Sequence, residues 1–128
     1  MTSVREEIRV PGRPELSHSA DAVRAGDTLF VAGILPVDSE GRLVSGDVIE
    51  QARFTFGELG RILAAAGCDF EHVVKVTVFL TEVDDRPKIN PVRQKVFGAT
   101  RPASTLVEVS GLAVPGALIE VDAVAALP

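Results

Sequence analysis

Arg101-Pro102-Ala103-Ser104-Thr105-Leu106-Val107-Glu108-Val109 and, after a short turn, Leu118-Ile119-Glu120-Val121-Asp122-Ala123-Val124 place three acids inside two segments that otherwise read as core strands. Side chains alternate between the two faces of a strand. On the second segment Ile119, Val121 and Ala123 share one face, and Leu118, Glu120, Asp122 and Val124 share the other. On the first, Ser104, Leu106, Glu108 and Ser110 oppose Thr105, Val107 and Val109. A carboxylate taken out of water is costly unless it is paired or hydrogen-bonded. The carboxylate face therefore has to meet water, a partner chain or a ligand, and the solvated side of a half-buried sheet satisfies the pattern as it stands.

Working outward, residues 72–81 read as the strongest strand, with Val74, Val76, Val78 and Leu80 on one face and Val73, Lys75, Thr77, Phe79 and Thr81 on the other. Before it, Asp47 and Glu50 have capping-box spacing. Ile49, Ala52, Phe56, Leu59, Leu63 and Ala66 then recur at three- and four-residue intervals, which predicts an amphipathic helix closed by Gly67. Gly57 and Gly60 inside it suggest close approach to a sheet. After the strand, Asp84-Asp85-Arg86-Pro87 reads as a turn, and residues 88–97 as a shorter helix with Ile89, Val92, Val96 and Phe97 inward, Pro91 in its first turn and Gly98 closing it. Towards the N-terminus, residues 28–33 read as a buried strand, with short strands at 7–10 and 19–23. Strands, long helix, strand, short helix, two strands is the order of an α+β sandwich, two helices on one face of a mixed sheet.

The 128 residues fit one domain, spanning 1–128. The chain is 46% hydrophobic, and its six aromatic residues are all Phe, so Val, Leu, Ile and Ala must build the core. No run approaches the ~18 apolar residues of a membrane span. Residues 1–10 carry acids and no apolar stretch, unlike a secretory leader. A lone Cys68 fits a reducing cytoplasm and reads as a plain buried thiol. A net charge of −5 and scattered basic residues argue against a nucleic-acid partner. His18 and His72 stand at no metal spacing from Cys68, and neither a phosphate-cradling glycine loop nor a serine-hydrolase elbow is present. No metal or cofactor is expected.

Read in order, Asp27-Thr28-Leu29-Phe30-Val31-Ala32-Gly33, the helix ending Ala64-Ala65-Ala66-Gly67-Cys68, Val73-Val74-Lys75-Val76-Thr77-Val78-Phe79-Leu80-Thr81, Ile89-Asn90-Pro91-Val92, Arg101-Pro102-Ala103, Val107-Glu108-Val109 and Ile119-Glu120-Val121 resemble the Rid family, the reactive intermediate deaminases, also called YjgF-like. No single motif is decisive; the ordered set, covering residues 20–126, is specific. The resemblance implies a chorismate-mutase-like fold and a homotrimer with ligand clefts between subunits. It implies that the sheet faces free of helices turn inward, so that Lys75, Thr77, Glu108, Glu120 and Asp122 lie at or near subunit contacts. It also implies hydrolysis of small enamines and imines to a ketone and ammonia, with Glu120 positioning water and passing protons. A backbone carbonyl near the start of the 104–110 strand would help to hold that water.

The chain departs from the family pattern at the substrate clamp. The best-known members carry Arg in the third place of a Pro-Ala-Arg-Ser motif, where it grips a substrate carboxylate. Here Pro102-Ala103-Ser104-Thr105 puts Ser104 in that place, and Leu106 stands where a Cys is frequent. Ala32, beside Gly33, stands where a Ser is common, and the region of an N-terminal Tyr reads Ser17-His18-Ser19. The implied site keeps Glu120, binds through the hydroxyls of Ser104 and Thr105 with Ser19 or His18, and takes a less anionic or differently anchored enamine or imine. Asn90 matches a cleft residue of the family or caps the second helix. Phe30, Phe79 and Leu106 form an apolar wall or simply pack the core. Beside this enzymatic reading, which includes tautomerisation or cyclisation, stands a regulatory trimer that binds a small metabolite without turnover. Ribonuclease activity, attached to some relatives, suits neither the acidic charge nor the histidine content.

Overall fold

A computed structural model describes residues 4–128; residues 1–3, part of the segment read above for a leader, lie outside it. Six strands form one sheet: β1 (Arg5–Ile8), β2 (Ala22–Ala25), β3 (Thr28–Ile34), β4 (Val73–Leu80), β5 (Ala103–Glu108) and β6 (Ile119–Ala126). Their spatial order is β1-β2-β3-β6-β4-β5. Only the β4–β5 pair is parallel, so the sheet is mixed. Helices α1 (Val48–Ala65) and α2 (Arg86–Phe97) supply the second layer, the expected two-helix α+β arrangement. Among the described residues no helix is long and apolar enough to cross a membrane.

The layers meet along the alternating faces read from the sequence. Ile119, Val121, Ala123 and Ala125 of β6 are buried under the helices, against Ala52, Phe56, Leu59, Ile62 and Leu63 of α1. Each large apolar side chain in that layer contributes about 1.5–3 kcal/mol. Phe97 of α2 meets Phe56 edge-on at 6.0 Å between ring centres and Phe70 at 5.6 Å, joining the helices through aromatic contacts. The Asp47 side chain caps α1 by accepting from the Ile49 and Glu50 amides, each at 3.0 Å. The reciprocal half of the expected capping box is missing, because Glu50 turns outward to Arg53.

Several elements differ from the sequence reading for identifiable reasons. On β4 the register shifts between Val73 and Lys75, so Val73 is buried and Val74 is 50% exposed. The first strand ends at Ile8 because the Val10 amide bonds the Asp21 side chain at 2.8 Å instead of a ladder. Asp21 in turn lies outside β2, which starts at Ala22. The second helix opens at Arg86, so Pro87 occupies its first turn and Pro91 lies in the interior. Asn90 is therefore within α2 and is not its cap. Neither Gly57 nor Gly60 brings α1 close to the sheet. A Cβ at Gly60 would press on the Phe70 ring at 3.1 Å, and one at Gly57 would meet open space.

Candidate active site

Glu120 stands on β6 with its side chain on the sheet face that no helix covers. Its neighbours are fixed by register: Phe79 of β4 lies opposite Glu120, and Val107 of β5 lies opposite Phe79. The next row places Asp122 opposite Thr77 and Thr77 opposite Thr105. The row after sets Phe30 of β3 opposite Val124. On the other side of Glu120, β3 slips register between Val31 and Ile34, releasing Ala32 and Gly33 from the regular ladder.

The absence of a side chain at Gly33 makes room for the carboxylate. A Cβ built there would overlap Glu120 Oε2 and lie 2.9 Å from Cδ. Among the described residues Glu120 makes no hydrogen bond or ion pair, although it is half-buried. Burial pushes its pKa up, and the like charge of Asp122 two residues away adds to the shift. The cation on the same face, Lys75, lies opposite Val124, two rows away, and donates to Thr105 Oγ1 at 2.5 Å. An acid held nearer to neutrality with its oxygens unclaimed can take a proton from water and return it.

Gly33 also borders a cleft of about 260 Å³ lined by Ser17, Ser19, Ala32, Leu35 and the loop through Pro14. That loop is fastened by a nearly buried ion network. Arg13 Nε reaches Asp21 at 2.9 Å, Arg13 Nη1 reaches Glu58 of α1 at 2.6 Å, and Arg61 joins Glu58 at 2.9 Å. Ser17 and Ser19 share a hydroxyl hydrogen bond at 3.2 Å at the cleft. His18 is exposed and does not line it.

The remaining sequence-selected residues lie elsewhere. Parallel pairing sets Ser104 opposite Val76, Leu106 opposite Val78 and Glu108 opposite Leu80. Val76, Val78 and Leu80 are core residues, so these three β5 side chains share the helix-side face at the sheet edge. Leu106 packs against the core there. Glu108, expected beside Glu120 on the open face, instead accepts from the Val83 amide at 2.9 Å. Ser104 Oγ accepts from Arg93 Nη2 of α2 at 2.5 Å, a partner the sequence reading missed. Asn90, Arg93, Arg101 and Pro102 line a recess of about 320 Å³ beside that contact. One chain thus assembles Glu120, Gly33, Phe79, Phe30 and Thr105 on the open face, with Ser19 and Ala32 next to them. It leaves Asn90, Ser104 and Leu106 on the opposite side of the sheet.

Residues 12–127 match the family model described as Endoribonuclease L-PSP. The chain belongs to that family, the Rid or YjgF-like proteins. A RutC family protein of Pyrococcus horikoshii is 41% identical over 107 residues, covering 83% of this chain and 84% of that protein. The human 2-iminobutanoate/2-iminopropanoate deaminase is 39% identical over 107 residues, 83% of this chain and 77% of the human one. The crystal structure of the Rid protein YyfA from Yersinia pestis superposes with a TM-score of 0.90 at 28% identity, over 96% of this chain and 99% of that one. Within this Rid fold, Ala32 and Ser19 lie with the Glu120 group and Ser104 and Leu106 lie on the opposite side of the sheet.

Proposed function

We propose that this Rid protein hydrolyses a small enamine or imine, with Glu120 as the proton-transfer group. The observation that carries the reading is the carboxylate of Glu120, set over Gly33, unpaired among the described residues and raised in pKa by burial. An enamine is first protonated at carbon to give the iminium ion, the protonated imine. Glu120 as carboxylate takes a proton from a water whose oxygen adds to the iminium carbon, and the resulting neutral carbinolamine has one new C–O bond. Glu120 returns that proton to nitrogen, the C–N bond breaks and ammonia leaves, and the Glu120 carboxylate takes the hydroxyl proton as the carbonyl forms. The deaminase name of the human relative supports this chemistry.

A complete site requires two copies of the chain. The Asn90–Ser104 group and the Glu120–Gly33 group lie on opposite sides of one sheet, so they converge only when the edge of one protomer meets the open face of another. The open face asks for such a cover: Val107, in the row of Glu120, is 38% exposed, and Phe30, two rows along, is 51% exposed. A closed ring of such heterologous contacts is the homotrimer proposed here.

The test generates imines in place with an amino-acid oxidase and follows ammonia or semicarbazone yield. Wild type is expected to accelerate release, and Glu120→Gln to lose that acceleration while keeping its fold and assembly in a sedimentation run. Equal rates for the two proteins across a broad imine panel would leave a metabolite-binding trimer as the better description.

A further inference from the structure

We propose that Arg93 of α2, held by Ser104, is the anchor for a substrate carboxylate, entering from the helix rather than from the strand. The inference rests on the imine-hydrolysing, two-copy cleft proposed above and specifies what that cleft binds.

Arg93 is half-buried, and among the described residues it forms no ion pair. Among the described residues its one side-chain hydrogen-bond partner is the neutral Ser104 hydroxyl, accepting from Nη2 at 2.5 Å. A guanidinium carries five donors. The fork facing the recess therefore remains open for an acceptor. A half-buried cation without a counter-charge gives up part of its hydration with no ion pair to offset it. Desolvation, with Arg86 as a second cause, pushes the Arg93 pKa down, in keeping with a charge awaiting an anion. Among the described residues no acid pairs with it: the α2 sequence holds Arg86, Lys88, Arg93 and Lys95 and no acid, and Asp85 just before the helix pairs with Lys88. Arg101 lines the same recess and also lacks an ion pair among the described residues, and Asn90, one helical turn before Arg93, offers an amide with no partner there.

Ser104 acts here as the part that aims the guanidinium. Its hydroxyl occupies one donor and holds the plane against the sheet edge, leaving the other edge of the fork for a bidentate carboxylate. A planar clamp of this kind is not reproduced by Lys.

The experiment compares 2-iminobutanoate with its uncharged methyl ester imine, using wild type, Arg93→Ala, Arg93→Lys and Ser104→Ala, with Glu120→Gln as a separate control. Arg93→Ala is expected to raise KM for the acid about 10- to 100-fold, with the ester nearly unaffected. Arg93→Lys should recover only part of that loss, and Ser104→Ala should fall between wild type and Arg93→Ala. An unselective loss on both substrates, or no change on the acid, overturns the proposal. Glu120→Gln abolishing turnover while Arg93→Ala leaves the acid's KM untouched would retain the enzyme and discard this anchor. Should wild type turn over neither substrate, 2-oxobutanoate binding is titrated calorimetrically. Weaker binding to Arg93→Ala then supports the anchor, and equal or absent binding to both proteins refutes it.

Discussion

Gly33→Ala separates the position of the Glu120 carboxylate from the stability of the fold. Gly33 is not among the glycines at positive φ, so alanine meets no backbone strain there. The added methyl collides with Glu120 Oε2 and sits within 2.9 Å of Cδ, so the carboxylate has to retreat by about 1 Å to recover ordinary contact. That retreat is absorbed at the end of a flexible side chain, at about 0.5–1.5 kcal/mol if a torsion leaves its well. Against it, replacing Gly with Ala lowers the entropy of the unfolded chain and returns about 0.4–1 kcal/mol. The two effects nearly cancel, and the urea midpoint should move little. Catalysis has no such compensation: a misplacement of about 1 Å at a proton-transfer group lowers kcat on the order of 100-fold. Urea unfolding and initial rates of ammonia release on the same preparations measure both quantities. Wild-type kcat in the Gly33→Ala protein would show that the carboxylate does not work from the place it occupies over Gly33.

Arg13→Ala should cost about 3 kcal/mol in urea unfolding, because it strips a nearly buried partner from both Asp21 and Glu58. Arg61 keeps Glu58 from being stranded, which holds the loss at that level. Glu120 adds a pH dependence of opposite sign to an ordinary salt-bridged acid. Its native pKa is raised, so between the ordinary carboxylate value and the raised one the folded chain holds more protons than the unfolded chain. Stability therefore falls as pH rises through that window, and the deficit persists above it. Glu120→Gln should be at least as stable as wild type at neutral pH, with the difference shrinking as the pH drops from the raised native pKa towards the unfolded glutamate's pKa and gone below it. An advantage for the Gln variant that grows on acidification would contradict the sign.

The sequence shows its structure best where one local signal has one outcome. Asp47 before an apolar stripe starts a helix, and Ile119, Val121 and Ala123 alternate into the core. It shows least where a neighbour decides. Nothing in residues 72–81 reveals that β4 slips register after Val73, because the bulge arises in pairing with β6. Glu108 changes side relative to Glu120 for the same reason: strand alternation fixes which residues share a face, while the parallel register with β4 fixes which face that is. Gly33 and Glu120 are far apart in the sequence and become partners only through the β3–β6 pairing, so a glycine that looks like a strand end is a space left for a carboxylate. Arg93 had a readable signal, four cations and no acid along α2, but its meaning depends on Ser104 lying across the gap.

In the two-copy cleft proposed above, the two half-sites would oppose one another electrostatically. A guanidinium facing Glu120 favours the ionised carboxylate and works against the burial and the Asp122 charge that raise its pKa. A substrate carboxylate seated on Arg93 cancels that cation and, being an anion itself, presses Glu120 towards the protonated form. The empty cleft therefore keeps Glu120 ready to accept a proton from water, and the loaded cleft makes it readier to hold the proton and deliver it to nitrogen. An arginine in place of Ser104 would exert the same pull from the strand. From α2 the Arg93 guanidinium starts from a different backbone position and is steadied by the Ser104 hydroxyl, so the carboxylate it would seat lies at a different place relative to Glu120.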